Sequence, residues 1–194
     1  MTGKLLARPE RRAAILGAAA TAFVGGGFSE TSMDDVAAEA GVTRLIIYRH
    51  FASKEELYSA VLERVAARLA LETVAASDGR MALGAVRALL VVGREDPDGF
   101  VLLWRHAARE PAFAAHAAAF RERANQFARA LLAAVGVSGR LRERWAAETL
   151  VSYVVEAVLH WMEEGSPGRD EEFLALMAES LPAIVTAWAR VPRP

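Results

Sequence analysis

The stretch 31–57, TSMDDVAAEAGVTRLIIYRHFASKEEL, packs three helix starts and two early stops into a very short length of chain. Thr31, with Asp34 three residues on, is a capping-box pattern that opens a helix over 32–40. Gly41 ends that helix after about two and a half turns. Thr43 opens a third helix over 44–49, and Ser53 with Glu56 opens a long fourth one over 54–74. Helices this short bury little alone and have to cross closely. The small Ala37 and Ala40 allow that, with Val36 beside them and with Val42, Ile46 or Ile47, and Phe51 facing them from the next helix. Two short helices joined by a tight turn form a helix-turn-helix, whose second helix enters the major groove of DNA.

Outside this stretch, alanine, leucine, arginine and glutamate dominate and alternating strand-like runs are almost absent, so the chain reads as all-α. A first helix over 8–24 carries an apolar stripe of Ile15, Ala19, Ala22 and Phe23, and Gly25-Gly26-Gly27 is expected to end it. After a break at Ser77-Asp78-Gly79, helices fit 81–93, 100–109, 112–135, 139–164 and 171–190. Pro182 is expected to bend the last of them. With 194 residues, 54% of them hydrophobic, the chain is long and apolar enough for one large domain or two small ones.

The formal net charge is −1, so any DNA binding has to come from a local patch. Thr31 and Ser32 sit at one helix start, Thr43 at the next and Ser53-Lys54 at a third, where free N–H groups face anions. Arg44, Tyr48, Arg49, His50 and Lys54 add donors or charge. Arg8, Arg11 and Arg12 form either an arm reaching phosphates or an ordinary solvated face. There is no cysteine, which excludes disulfides and thiolate metal sites. His106, His116 and His160 lack i, i+4 spacing and a carboxylate cluster, so no metal is expected. The triple glycine lacks the strand before it and the Lys-Ser/Thr after it of a phosphate-cradling loop. No activated nucleophile and no cofactor fingerprint appears, which counts against a helical enzyme and leaves no cofactor to expect. The apolar runs 81–92 and 146–162 are short or broken by charge, and basic 1–12 leads into an amphipathic segment rather than a signal-peptide core. A cytoplasmic location without a membrane span is therefore expected.

On Phe23, Gly27, Thr31, Val36-Ala37, Ala40-Gly41-Val42-Thr43, Tyr48-Arg49-His50-Phe51, Lys54 and Leu57, the sequence resembles the TetR (tetracycline-repressor-like) family of one-component regulators. The resemblance is specific over 11–58; the rest matches in length and helical character. It implies that Thr43, Tyr48, His50 and Lys54 contact the DNA backbone, with Thr31 supporting, and that Arg44 and Leu45 lie nearest the base edges. The family usually has a small residue at the place of Leu45 and a small or hydroxyl residue at Ile46, so Leu45-Ile46-Ile47 is unusually bulky. Leu45 either touches a thymine methyl or packs against the domain. The resemblance also implies effector binding by the downstream helices and dimerisation through the last two.

In helix 139–164, Val151, Val154, Val158, Trp161 and Met162 share one face, while Trp145, Thr149, Ser152, Tyr153, Glu156 and His160 share another. The last helix repeats Phe173, Met177, Leu181, Ile184 and Trp188, either a core stripe or a dimer contact. With the first apolar face, that stripe is the expected subunit interface. Trp104, His106, Phe113, Phe120, Phe127 and Tyr153 are candidate walls of an effector chamber, with Glu156, His160, Asn125 and Gln126 as polar contacts. The expectation is an all-α homodimer in which 1–60 bind a palindromic double-stranded operator and 61–194 bind a small hydrophobic effector and dimerise. Repression, relieved by the effector, is the expected output. A constitutive DNA-binding dimer without an effector is the alternative.

Overall fold

The computed structural model describes residues 7–75 and 81–191, and among these every regular element is helical. The elements are α1 Arg8–Glu30, α2 Met33–Glu39, α3 Arg44–Tyr48, α4 Lys54–Ala75, α5 Met81–Glu95, α6 Pro97–Val101, α7 Ala114–Ala134, α8 Arg140–Glu164 and α9 Asp170–Arg190. In place of the single helix expected over 100–109, a π-helical turn at Leu102–His106 and a 3₁₀ turn at Ala107–Arg109 follow α6. The break expected at Ser77-Asp78-Gly79 lies outside the described residues.

Two compact units form. The first joins Met1–Ala67 with Asp96–Ala115, and the second joins Arg68–Glu95 with His116–Pro194. A linear boundary at residue 60 does not anticipate this division. The return of the chain at 96–115 is held in the first unit by aromatic packing and by charge. Phe113 is buried, stacks on Tyr58 with ring centroids 4.2 Å apart, and meets Phe28 edge-on at 5.0 Å. Phe23 closes the cluster against Tyr58. Phe113, a candidate chamber wall by sequence, is thus packed in the core of the first unit. The Asp96 side chain accepts from the Gly99 N–H as the N-cap of α6 and pairs with Arg64 of α4 at 2.5 Å. Asp98 accepts from the Thr21 hydroxyl of α1 at 2.6 Å.

In α1 the helix continues through Gly25 and Gly26, two residues past its expected end. The interruption falls at Gly27, whose φ of 74° is open to glycine without strain. At Gly26 the constraint is space, since a Cβ there would lie 2.7 Å from the Thr31 hydroxyl oxygen.

The second unit packs α5 against α8 and α9. Arg94 of α5 joins their ends. Its guanidinium donates to Asp170 at 2.9 Å and to the Gly165 carbonyl at 3.0 Å, while the Trp161 indole N–H donates to the same carboxylate. These bonds hold the Asp170 carboxyl below its ordinary pKa: the Arg94 bond contributes most, burial opposes it, and Trp161 adds to it. α9 runs unbroken through exposed Pro182, which removes one backbone bond without ending the helix.

The expected dimer stripe is corrected by this packing. Phe173, Met177 and Leu181 of α9, and Val151 and Val158 of α8, are buried within the single chain, so they are core. Trp161 stacks on Phe173, and Val154, Met162 and Ile184 are half-buried. The outward apolar residues of α8 and α9 are Leu141, Trp145, Tyr153 and Leu176, with half-buried Trp188 packed on Trp145 at 5.1 Å. The α8 face expected at the interface thus packs partly inward, while Trp145, Tyr153, Glu156 and His160 of the other face are exposed.

By length and composition, α1 and the stretch Pro167–Arg190 qualify as long and apolar enough to cross a bilayer, contrary to the sequence expectation. Packing within the chain covers part of their apolar surface. Ile15, Leu16, Ala19, Ala20 and Phe23 of α1, and Phe173, Leu174, Met177 and Leu181 of α9, are buried against protein.

Candidate nucleic-acid interface

The helix start expected at Thr31 falls one residue later. Thr31 is only 4% exposed, and its hydroxyl donates towards the carbonyls of Gly27 (2.7 Å) and Ala22 (3.2 Å). Bonded to the end of α1, it is not at the surface to support a phosphate. Ser32 is the N-cap of α2 instead. Its hydroxyl accepts from the Asp35 N–H, and the Asp35 carboxylate accepts from the Ser32 N–H at 2.8 Å, a reciprocal box displaced by one from the Thr31–Asp34 pattern. Hydrogen bonds from Ser32 lower the Asp35 pKa, the side-chain bond first and the backbone bond second.

Gly41, with φ of 62°, turns the chain out of α2. Its N–H donates to the Ala38 carbonyl, and the Val42 N–H reaches back to Ala37. This double closure needs a left-handed residue at its centre. α3 then starts at Arg44 after Thr43, which is exposed and makes no side-chain cap bond. Ile47 is fully buried and anchors α3 in the core. The remaining side chains of α3 point away from it: Leu45 is 63% exposed and Tyr48 41%, while Arg44 and Arg49 are exposed and Ile46 half-buried. Leu45 therefore faces outward instead of packing against the domain.

Arg44 is held in a defined pose. One of its terminal nitrogens pairs with Asp34 at 2.7 Å, the other donates to the Tyr48 hydroxyl at 3.2 Å, and its guanidinium lies over the Tyr48 ring. The Tyr48 bond and then the Asp34 charge raise the Arg44 pKa further. This three-residue clamp, across α2 and α3, is invisible in the spacing.

Lys54 departs from its expected role. Its ammonium donates to the carbonyls of Phe28 (2.7 Å), Thr31 (2.9 Å) and Ser29 (3.2 Å) and lies 4.5 Å from the Phe28 ring centroid. It closes the carbonyl end of α1, where the helix dipole also favours a cation, in place of the phosphate contact expected of it. Ser53 caps α4 by accepting from the Glu56 N–H, and Glu56 reaches back to the Ala52 N–H. His50 is half-buried beside Phe51. Burial first, then the charges of Arg8, Arg11 and Arg12, lower its pKa and keep the imidazole neutral near pH 7.

The expected effector residues belong to both units. Trp104 and His106 are half-buried in the first unit. In the second unit Phe120 and Phe127 are half-buried on α7, whereas Tyr153, Glu156 and His160 lie on the outward face of α8. Tyr153 meets Ser180 at 3.4 Å, and His160 lies 3.5 Å from Glu163. Sequence reasoning named Asn125 as a polar contact but missed its partners Arg121, Glu148 and Ser152, with which it forms a polar cluster between α7 and α8. Glu148 accepts from Arg121 and Asn125, each at 2.5 Å, and Arg121 also donates to Ser152. Asn125 is 6% exposed, and its amide oxygen has no protein partner. The Glu148 carboxylate fixes this orientation, since the reverse one would set two oxygens together.

A buried-anchor helix presenting Arg44, Leu45 and Tyr48 outward after a glycine turn defines a DNA-binding helix-turn-helix. Residues 15–61 match the model of the bacterial regulatory proteins of the tetR family. Over 173 residues the chain is 33% identical to the HTH-type transcriptional activator FasR of Mycolicibacterium smegmatis, covering 85% of this chain and 78% of that one. A TetR-like transcriptional regulator from Rhodococcus sp. RHA1 shares the fold with a TM-score of 0.74 at 24% identity, over 92% of this chain and 99% of that chain. AibR, solved with isovaleryl coenzyme A and operator DNA, gives a TM-score of 0.68 at 19% identity, over 86% of this chain and 95% of that one. The chain belongs to the TetR family of transcriptional regulators, a family of DNA-binding proteins and not of enzymes.

Proposed function

We propose that two copies of the chain bind a palindromic operator in the cytoplasm and that a small hydrophobic effector releases them. The observation that carries this reading is α3: one buried anchor, Ile47, and an outward set of Arg44, Leu45, Tyr48 and Arg49. In this reading Arg44 reads a base edge, Leu45 meets a thymine methyl, and Ser32, Thr43, Tyr48, Arg49 and His50 grip phosphates. Two such helices spaced about one DNA turn apart, ~34 Å, read a palindrome. The outward apolar residues of α8 and α9, Leu141, Trp145, Tyr153 and Leu176, support pairing through this face.

For the effector, half-buried Phe120 and Phe127 and the buried acceptor of Asn125 support a largely apolar molecule carrying a hydrogen-bond donor. It acts by binding better to dimers whose recognition helices are wrongly spaced, which lowers the operator-competent population. The output proposed is repression by occupying a promoter. Activation is the second reading, favoured by the name of FasR, a transcriptional activator.

The test is selection from a random duplex pool by the purified protein at fixed salt, followed by a reporter driven by the selected site. Enrichment of a palindrome supports operator binding, and loss or gain of reporter output decides repression against activation. A folded dimer that enriches no sequence, with or without added small molecules, refutes the reading.

A further inference from the structure

The first turns of α1 break a local rule. Arg8, Arg11 and Arg12 crowd the positive end of the helix dipole, where cations are disfavoured, and Arg8 and Arg12 are i, i+4 neighbours that repel. Glu10 is the only acid in that turn, and it is engaged with the Ala7 N–H. Local conflicts of this kind gather at functional or strained sites. The arginines gather at the end of the recognition helix: the Arg12 guanidinium lies 5.0 Å from the centroid of the Phe51 ring. Phe51 follows His50, and its N–H donates to the carbonyl of Ile47, the buried anchor of α3. The charged groups that act on His50 are arginines from this turn.

Resting on the operator-binding reading, we infer that Arg8 and Arg12, with His50 as a hydrogen-bond donor, form a second phosphate-gripping surface beside α3. It engages the duplex backbone flanking the bases that α3 reads. Arg8 and Arg12 are exposed and lie about 6 Å apart along the helix axis, a span that suits neighbouring phosphates of one strand. A surface of this kind adds affinity and salt dependence without adding sequence information.

The experiment measures operator affinity against salt concentration for the full chain, for Arg8→Gln/Arg12→Gln, and for Arg12→Lys, with footprints of each complex. If both arginines of both copies hold phosphates, the slope of log affinity against log salt falls in magnitude by about 3 to 4 in the double variant. The protected region then shortens at its outer edges, the selected sequence stays the same, and Arg12→Lys keeps most of the slope. An unchanged slope and footprint in a folded double variant overturn the inference and leave the arginines as a solvated face, while operator binding stands. Failure of the unmodified chain to bind any duplex refutes both. If the double variant does not fold, Arg8→Gln alone decides, with an expected drop of about 2 in the slope.

Discussion

The Lys54→Met substitution separates two roles that a sequence motif cannot tell apart. It keeps the apolar stem over Phe28 and removes the ammonium that donates to the carbonyls of Phe28, Ser29 and Thr31. A hydrogen bond to a charged group contributes about 1.5–3 kcal/mol, and bonds from one ammonium are not additive. Water will also reach part of the exposed carbonyl end, so the loss is about 2–3 kcal/mol in total. For a chain of this size each kcal/mol moves the melting midpoint by roughly 2–4 °C, so Lys54→Met is expected to melt about 4–12 °C lower. Calorimetry reads that shift, and fluorescence anisotropy with an operator duplex at several salt concentrations reads the other role. Because the ammonium is occupied inside the chain, the salt slope is expected to stay unchanged at temperatures where the variant is folded. A phosphate ligand on each of two copies would instead lower the slope by about 2. An unaltered melting point together with that lower slope would falsify the capping role and restore Lys54 to the DNA surface.

Arg44→Ala is expected to relax preference at one base position of each half-site by about tenfold to a hundredfold, and Asp34→Ala to blunt it by freeing the guanidinium; uniform weakening across a pool of sequences would make Arg44 a backbone contact. Trp145→Glu places a charge in the outward face of α8 and α9, so sedimentation should show monomers; a persistent dimer would put the subunit interface elsewhere. Asp170→Asn weakens the pairing with Arg94 and is expected to cost about 1–2 kcal/mol at neutral pH. Since folding lowers the Asp170 pKa, the stabilisation is present above the ordinary value of 3.8 and is lost as pH falls through the folded-state value. The melting difference between the two proteins should therefore close below pH 3.8; a constant difference would mean that the charge is not its source.

Much of this protein was determined by local chemistry, which the sequence displays directly. Periodicity and helix-forming composition define the all-α class. The left-handed turn at Gly41 and the short helices beside it follow from residues a few positions apart, and so does the outward polar set of α3. Tertiary structure decided which member of each local option was used. Thr31 and Ser32 both qualify as a cap; only the packing of the α1 end against Thr31, through Gly26, gives the cap to Ser32. Lys54 looks like a free cation until the carbonyls of 28–31 fold back onto it from α1. The wheel of α8 shows two unlike faces, but which is inward depends on α5 and α9, and helical spacing alone cannot distinguish a core stripe from an interface. The return of 96–115 to the first unit rests on Phe113 with Tyr58 and on Asp96 with Arg64, pairs far apart in the chain whose mutual burial no local signal records. Spacing along the chain specifies helices and turns because those interactions are local; burial and partner choice depend on groups that meet only once the helices have packed.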